Sequence, residues 1–460
     1  MRDFQLVLIA LVLALSITYF GDVTLPFLII GIAGILTYLF NDKFILVALI
    51  TVFLVFTSEF FEQYRFIIHI SAALILMLLF LKAYGLQVKE YMKVPHEIWS
   101  FLIILFSTLF IATIFSYSFS ISLATLIRTL QFFIICYIFY SLLQSERVIY
   151  IYISSILIVA AIWGIRIFID LYSLGIENYF KKIIVKEVFD LQSSISYGSY
   201  TIFFISISLA IALLFLKKFS IGRMKIFLSI YISFNVLIII FSNSRGVLMA
   251  TIISISFILL TLKTELYLKI ITTSLLVVVV FILFQPDLLE FIGSYSRGYS
   301  LNQRELYWDI GLRMISDHPL VGIGPGIFDK QFFNYAASSH IGFLNQPDII
   351  AGKPHPHNFF IYLTVENGIL GLITAISFFV LFFYIAFRAM KLTKNRSREH
   401  YTISVAITGI GFGELARSFI EVSGHLYYGI LTTDLPFWLT FIILIYIKQF
   451  YSNTELAKNM

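Results

Sequence analysis

Long apolar runs follow one another along most of the chain, from Leu6 to Ile447, with polar segments between them. A run of about 20 apolar residues is long enough to cross a bilayer as a helix. The pattern therefore predicts an all-α polytopic membrane protein with about 14 transmembrane helices, in a range of about 12 to 14. The predicted spans are 4–20, 23–40, 43–57, 66–82, 98–115, 121–143, 149–171, 199–217, 225–241, 246–262, 268–284, 358–387, 401–418 and 434–450.

Two of the polar segments are long, 172–198 and 285–357. Within the second, Leu306, Ile310 and Met314 recur at helical spacing, with Trp308 and Leu312 beside them. This predicts an amphipathic helix over 303–316 with a wide apolar side. A proline and a glycine-rich turn at 317–326 end it, and 327–352 is expected to be irregular loop with some helix. We therefore expect one long loop that contains short helices.

The placement of basic residues predicts the orientation of the chain. Most Lys and Arg residues fall in the short loops and tails on the side that holds both termini, which is typical of the cytoplasmic side. The prediction is a single transmembrane domain, 1–460, in the cytoplasmic (inner) membrane, with both termini cytoplasmic and the loops 172–198 and 285–357 on the external or periplasmic face. No ATP is available there, so chemistry needs a substrate that arrives activated.

Composition narrows the classes further. The 460 residues are 60% hydrophobic and only 13% charged, which excludes an ordinary soluble domain. The net charge of +6 is typical of cytoplasmic anchoring charge, and no basic block interleaved with aromatic residues points to nucleic acid as a partner. Cys136 is the only cysteine, so a disulfide framework and a cysteine-based metal site are both excluded.

Four arginines are predicted to converge on the outer leaflet. Arg128 and Arg166 lie within spans, Arg245 lies in the short external turn 242–246, and Arg304 opens the predicted loop helix. Arginine binds phosphate groups in a two-pronged manner, so a lipid diphosphate is the natural anionic ligand at that depth. A structural alternative is that Arg128 and Arg166 pair with helix-end carbonyls or reach lipid phosphates.

His357 and Asn358 lie where the long polar segment meets the next apolar run, after two prolines that keep the approach extended. A histidine at a water–lipid boundary is a candidate for chemistry. The alternative is that His357 caps the helix and Asn358 is a polar interface residue.

Other polar residues of this region receive structural interpretations. Glu366 follows His357 by nine residues, which places it on roughly the opposite helix face, as an internal helix–helix partner. Glu414 and Arg417 are spaced to satisfy each other. Gly368 and Gly371 are expected to permit close helix contact. His355 and His357 form a His-x-His pair, but a proline separates them and no acidic ligand set accompanies them, so no metal site is predicted.

These residues resemble the O-antigen ligase and polymerase superfamily of bacterial polysaccharide-assembly enzymes. The family pattern of His-Asn, nine residues and Gly-x-x-Gly is matched by His357, Asn358, Gly368 and Gly371. The segment 304–326 is similar to the family's external loop, and Ser244-Arg245-Gly246 to its arginine turn. The resemblance covers residues 230–390, including the loop 285–357.

The resemblance implies a metal-independent, inverting glycosyltransferase that uses no cofactor. Its donor would be a glycan linked to undecaprenyl diphosphate, and its acceptor either lipid A-core, as in lipopolysaccharide ligation, or a second lipid-linked glycan, as in polymerisation. His357 would act as general base, while Arg245 and Arg304 would hold the diphosphate. The remaining substrate-binding candidates are Asn358, Arg166 and Arg128.

The residues leave the choice between ligase and polymerase open. A lipid-glycan flippase or other transporter is an alternative from another class. A transporter would be expected to carry charges near the membrane midplane and broken helices in repeated halves. The one-sided loop and the charges at one face favour an enzyme.

Overall fold

The computed structural model describes residues 94–143, 148–153, 234, 245–262, 299–336, 354–422 and 424–459. This part of the chain is helical throughout, with turns and irregular connections but no strand. Its helices are α1 (His96–Ile114), α2 (Phe119–Leu142), α3 (Arg245–Thr261), α4 (Tyr299–Asp317), α5 (Phe328–Ala336), α6 (Phe359–Thr393), α7 (Arg398–Ser418) and α8 (Leu431–Asn459). The all-helical prediction is thus confirmed for the residues described.

Among the described residues, four helical segments are long and apolar enough to cross a membrane: His96–Ile114, Phe119–Leu142, Phe359–Thr393 and Asp434–Asn453. The full set of 14 predicted spans stays a prediction. The spans 4–20, 23–40, 43–57, 66–82, 149–171, 199–217, 225–241 and 268–284 lie wholly or largely outside the described residues. Helix α3 is a shorter apolar helix, and α7 is mostly buried inside the protein.

Helix α6 is the centre of the described structure. It packs against α1, α4, α5, α7 and α8. Its aromatic side chains meet those of α8, with Phe382 lying 5.2 Å from Phe437 and 5.0 Å from Phe441 between ring centroids. Such aromatic contacts add to the burial of apolar area in holding helices together.

Helices α3 and α7 approach each other unusually closely. A Cβ atom on Gly409 would lie 2.9 Å from the carbonyl oxygen of Ser254, and one on Gly413 would lie 2.6 Å from that of Ala250. Only glycine leaves room for the two backbones at these points, which is a common way to pack membrane helices. This contact fixes the start of α3 beside the end of α7.

Helix α4 is the predicted amphipathic loop helix, although it begins earlier and ends one residue later than 303–316. Leu306, Ile310 and Met314 are fully buried, as expected. Leu312 is wrongly placed on the apolar side by the sequence interpretation, since 57% of it is exposed. The reason is geometric: a residue two positions from Ile310 and Met314 is rotated by about 200° around the helix.

Helix α6 is broken near its start. Gly368 has φ 63° and ψ −155°, which is not a helical conformation. The turn 318–326, which connects α4 to α5, docks at this break. Ile369 donates its N–H to the carbonyl of Pro319 at 2.8 Å, while Ile323 donates to Val365 at 3.0 Å and Gly324 to Glu366 at 2.9 Å. The loop is therefore joined to the membrane helix by backbone hydrogen bonds.

Two glycines lie at or near this break. A Cβ on Gly368 would lie 2.2 Å from the backbone carbonyl of Leu320, and one on Gly371 would lie 2.0 Å from the carbonyl oxygen of Leu363 in the same helix. Gly368 thus admits the docked turn, and Gly371 admits the bend of α6 itself. The nearest atoms to these two glycines thus belong to the docked turn and to α6 itself.

Candidate active site

The histidine turn before α6 is held in a strained backbone conformation. His357 has φ 45°, in the left-handed region that residues with a side chain rarely occupy. Trp308 of α4 donates its indole N–H to the carbonyl of Pro356 at 2.7 Å. The loop helix therefore fixes the turn that carries His357, and such strain is commonly found at functional sites.

Asn358 caps α6, so the alternative in which His357 is the cap is wrong. The Asn358 side-chain oxygen accepts the backbone N–H of Ile361 at 3.0 Å. Its amide nitrogen donates to the carbonyl of Phe419 at 3.0 Å, just beyond the end of α7. Asn358 thus joins the start of α6 to the segment after α7, and His357 is left to make other contacts.

Glu421 is the partner of His357. The His357 Nδ1 atom lies 3.3 Å from Glu421 Oε2, and the side chains are 23% and 11% exposed. The other carboxylate oxygen accepts the backbone N–H of Val422 at 2.9 Å. Burial alone would raise the pKa of Glu421, but His357, His355 and Arg417 together hold it well below its ordinary range. Glu421 is therefore a carboxylate.

His355 lies against His357, with ring centroids 3.9 Å apart. Its Nδ1 atom is buried without a hydrogen-bond partner in the described part of the chain. Burial lowers the pKa of His355 to about 4, and the neighbouring His357 and Arg304 lower it too, while Glu421 opposes them. His355 is consequently a neutral ring at neutral pH.

Arg304 and the start of α3 lie at the same end of the bundle as His357. Arg304 is half-buried in α4 and near enough to His355 to affect its charge. At the start of α3, a Cβ on Gly246 would touch the side chain of Ile420, next to Glu421. Helix N-termini and arginines both favour anions. Two of the predicted diphosphate-binding elements therefore lie near residues that neighbour His357 or its partner Glu421.

The structure gives no similar support for Arg128 and Arg166 as diphosphate-binding residues. The Arg128 Nε atom donates to the carbonyl of Tyr428 at 2.9 Å, which is the carbonyl pairing that the structural alternative predicts. This bond ties α2 to the turn before α8. Arg166 lies outside the described residues.

Glu366 joins α6 to the docked turn and to the start of helix α5, so it is an internal partner of another helix, as the sequence interpretation suggested. Its carboxylate accepts the backbone N–H groups of Gly326 at 2.7 Å and of Phe328 at 3.0 Å. These are the end of the docked turn and the first residue of α5. The break at Gly368 exposes this part of α6 to the loop, which periodicity alone does not reveal.

A buried ionic cluster lies behind Glu421. Arg417 Nη1 is 3.2 Å from Glu414 Oε2, which confirms that these two residues satisfy each other. His425 Nδ1 is 3.7 Å from the same oxygen, and His425 Nε2 is 3.3 Å from the Ser418 hydroxyl. All of these side chains are almost fully buried.

The donor atoms of His355, His357 and Glu421 lie within 4.8 Å of one another. Two imidazoles and a carboxylate could hold a transition metal, a grouping that the sequence did not predict. The positive charge of Arg304 beside His355 opposes a cation there. The same grouping also suits proton transfer, since a carboxylate facing Nδ1 leaves Nε2 to act as a base.

Glu421 was not predicted as the partner of His357, because 64 residues separate the two along the chain and the acidic partners considered lay near His357. One available signal was an acidic residue three positions beyond the end of α7, in a segment that is otherwise mostly apolar. An ionisable residue in that setting requires a partner.

Comparison with known proteins agrees with this picture. Residues 227–376 match the family model described as "O-Antigen ligase". The chain is also 27% identical over 139 residues to "Exopolysaccharide production protein ExoQ" of Rhizobium meliloti (strain 1021), a match that covers 28% of each chain. The chain therefore matches less than a third of that relative's length. The family match and the relative both support a relationship of this membrane protein to the O-antigen ligase superfamily.

Proposed function

We propose that the protein transfers a glycan from an undecaprenyl-diphosphate carrier to an acceptor hydroxyl at the outer face of the cytoplasmic membrane. One observation carries this proposal. The strained His357 is paired with the carboxylate of Glu421, while Arg304 lies close enough to His355 to affect its charge and the first described turn of α3 contacts Ile420, next to Glu421. That arrangement places a base beside groups that favour an anion.

The reaction is a displacement at the anomeric carbon of the donor. The acceptor oxygen forms a bond to this carbon as its proton passes to His357, and the bond from the carbon to the diphosphate oxygen breaks. The electron pair leaves with the diphosphate. Attack from the side opposite the leaving group inverts the anomeric centre. The energy comes from the activated donor, so the reaction needs no ATP.

Arg304 and Arg245 are assigned to the departing diphosphate, because fixed positive groups stabilise the charge that develops there. Asn358 orients the start of α6 through its cap and through Phe419. Arg128 and Arg166 would contribute at most to the periphery of the donor site. We propose that no metal takes part, because the arginines supply the charge that a divalent cation would otherwise provide.

The acceptor distinguishes two versions of this function. In the first, the acceptor is lipid A-core, as for an O-antigen ligase. In the second, it is another lipid-linked glycan, so that the enzyme polymerises its own substrate. The name of the relative, an exopolysaccharide production protein, is compatible with either acceptor.

Purified protein with a polyprenyl-diphosphate-linked oligosaccharide tests the proposal. A polymerase lengthens the glycan with this lipid alone, whereas a ligase requires added lipid A-core, and either releases polyprenyl diphosphate. H357A is expected to lower the rate by about 10²- to 10⁴-fold, the usual contribution of a general base. EDTA is expected to leave the wild-type rate unchanged.

Transfer at the full rate by H357A would remove His357 from the mechanism. Absence of glycan transfer by wild-type protein in detergent, combined with movement of the lipid across vesicle membranes, would favour the transporter. Loss of transfer in EDTA with recovery on adding zinc or manganese would show that His355, His357 and Glu421 hold a metal.

A further inference from the structure

We propose that Glu421 is a positioning residue that holds His357 in the tautomer and orientation needed to accept the acceptor's proton, and that Arg417 and Glu414 hold Glu421 in place. The inference rests on the proposed function, since it gives His357 a reaction to serve. It adds to that function a carboxylate and a buried ionic cluster.

The His357–Glu421 contact determines which ring nitrogen is available. An ionised carboxylate only accepts hydrogen bonds, so the Nδ1 atom that faces Glu421 Oε2 must carry the hydrogen. Neutral His357 then has its lone pair on Nε2. When Nε2 takes the proton of the acceptor hydroxyl, the imidazolium that forms is paired with Glu421.

Glu421 is itself fixed on both sides. The backbone N–H of Val422 binds Oε1 at 2.9 Å, and His357 faces Oε2. Asn358 binds the carbonyl of Phe419, two residues before Glu421, which sets the distance between the histidine turn and this segment. The carboxylate therefore has little freedom to turn away from His357.

The turn that follows Glu421 wraps around the Arg417–Glu414 pair. A Cβ on Gly424 would lie 2.5 Å from Arg417 Nη1 and 2.9 Å from Glu414 Oε2, and Gly424 has φ 123°. Only glycine allows the backbone to pass so close to the pair. The turn carrying Glu421 thus packs against the Arg417–Glu414 ion pair.

Negative charge exceeds positive charge in this cluster. Arg417 contributes one positive charge, while Glu414 and Glu421 contribute two negative charges. His355 faces His357 as a neutral ring, and Tyr307 lies 5.9 Å away between ring centroids. Tyr427 is close enough to Glu421, and Arg304 to His355, for their charges to interact, and Arg304 is assigned to the diphosphate. An imidazolium at His357 balances the excess negative charge.

The experiment is the pH–rate profile of E421Q, measured with the purified protein and the polyprenyl-diphosphate-linked oligosaccharide used above. We expect kcat to fall by about 10-fold or more, as in other histidine–carboxylate pairs. We expect the acidic limb of the profile to move to lower pH, because the neutral amide no longer stabilises the imidazolium. E421D restores the charge and should return the acidic limb towards its original position, with part of the rate.

E305Q is the matched control. Glu305 lies on α4 beside Arg304 but is exposed, so the same change of charge should leave rate and profile unchanged. Thermal unfolding in detergent separates folding defects from catalytic ones. Should E421Q fail to fold, E421D still tests the proposal, because its shorter side chain should lower kcat while retaining the acidic limb.

Two results would overturn the inference. One is an E421Q or E421D protein with the wild-type kcat and profile. The other is an E421Q protein whose loss of rate equals its loss of folded protein, with no shift of the acidic limb, which would make Glu421 merely structural. In both cases glycan transfer by the wild-type protein that H357A strongly lowers would leave the proposed function standing, whereas a wild-type protein that transfers no glycan would show that the function itself has failed.

Discussion

Residues 357 and 358 are neighbours with different tasks, which the sequence motif alone does not separate. Asn358 satisfies the first turn of α6 and holds the segment after α7. His357 faces Glu421 from a strained backbone position. The strain is maintained by contacts on both sides, namely the Trp308 bond to Pro356 and the Asn358 cap. A motif of two polar residues therefore encodes one structural and one candidate chemical role.

His355 provides a prediction at the same scale. Its folded pKa of about 4 lies below its ordinary value of 6.5, so below pH 6.5 the unfolded chain takes up a proton that the folded protein resists. We expect stability to decrease as the pH falls from 6.5 towards 4. H355N should reduce this decrease, as measured by thermal unfolding in detergent at a series of pH values.

Glu421 does not interfere with that measurement, because its lowered pKa affects the stability of the protein in a different pH range. A carboxylate with a lowered pKa loses its contribution only as the pH falls below its ordinary value of 4.5. His425, whose pKa burial also lowers, acts in the same direction as His355 but is retained in H355N. Identical pH dependence in wild type and H355N would contradict the prediction.

At the scale of elements, the docking of the turn 318–326 into the break of α6 is the feature that positions the loop. The turn replaces helical hydrogen bonds that the break removes. At the other end of the turn, the carboxylate of Glu366 accepts the backbone N–H groups of Gly326 and Phe328. The docked turn therefore sets the position of helix α4, which carries Arg304 and Trp308. The loop that contains α4 and α5 is therefore joined to the membrane helix and is not a separate unit.

G368A tests this arrangement. Alanine at φ 63° costs about 1–3 kcal/mol in backbone strain, and its Cβ would collide with the carbonyl of Leu320, which is backbone and has little room to shift. We expect a lower thermal midpoint and at least about a tenfold loss of transfer, because the turn must move away and take α4 with it.

I369A is the control for that experiment. Ile369 follows directly in the same bend, but 44% of it is exposed, so shortening it should change stability by only about 0.5 kcal/mol. A G368A protein as stable and active as I369A would show that the docked turn does not control the site.

The sequence allowed the helices to be predicted better than their contacts. The apolar runs predicted α1, α2 and α6, and most of the predicted ends lie within a few residues of the observed ones. The spacing of Leu306, Ile310 and Met314 predicted α4. Helix periodicity is a local property, so it can be read from neighbouring residues. The start of the apolar run likewise predicted that His357 and Asn358 lie at the start of a helix.

Long-range contacts were not predictable in this way. Glu421 reaches His357 across two helices, and nothing in the spacing of either residue encodes that approach. The break at Gly368 was missed because an isolated glycine in an apolar run is compatible with a continuous helix. Both features arise from tertiary packing, where α6, α7 and the loop that contains α4 meet.

At the scale of the whole molecule, the chemistry is concentrated at one end of the helical bundle. The turn between α1 and α2 lies there, since Tyr117 donates its N–H to Ile323 of the docked turn. The opposite end holds the connection between α6 and α7 and the Lys448–Glu97 pair at 2.7 Å. This polarity is expected of an enzyme that meets its lipid-linked substrate from one side of the membrane.

The orientation prediction can be tested with engineered cysteines, because the only native cysteine, Cys136, is buried. Ser316 is exposed at the end of α4, and Asn395 is exposed between α6 and α7 at the opposite end. In intact cells, a membrane-impermeant maleimide should label S316C but label N395C only after the membrane is permeabilised. The unsubstituted protein, which should remain unlabelled, is the control. The reverse pattern would place the His357–Glu421 pair on the cytoplasmic side, where a lipid-linked glycan facing outward could not reach it, and the transfer reaction would have to be reconsidered from its donor onward.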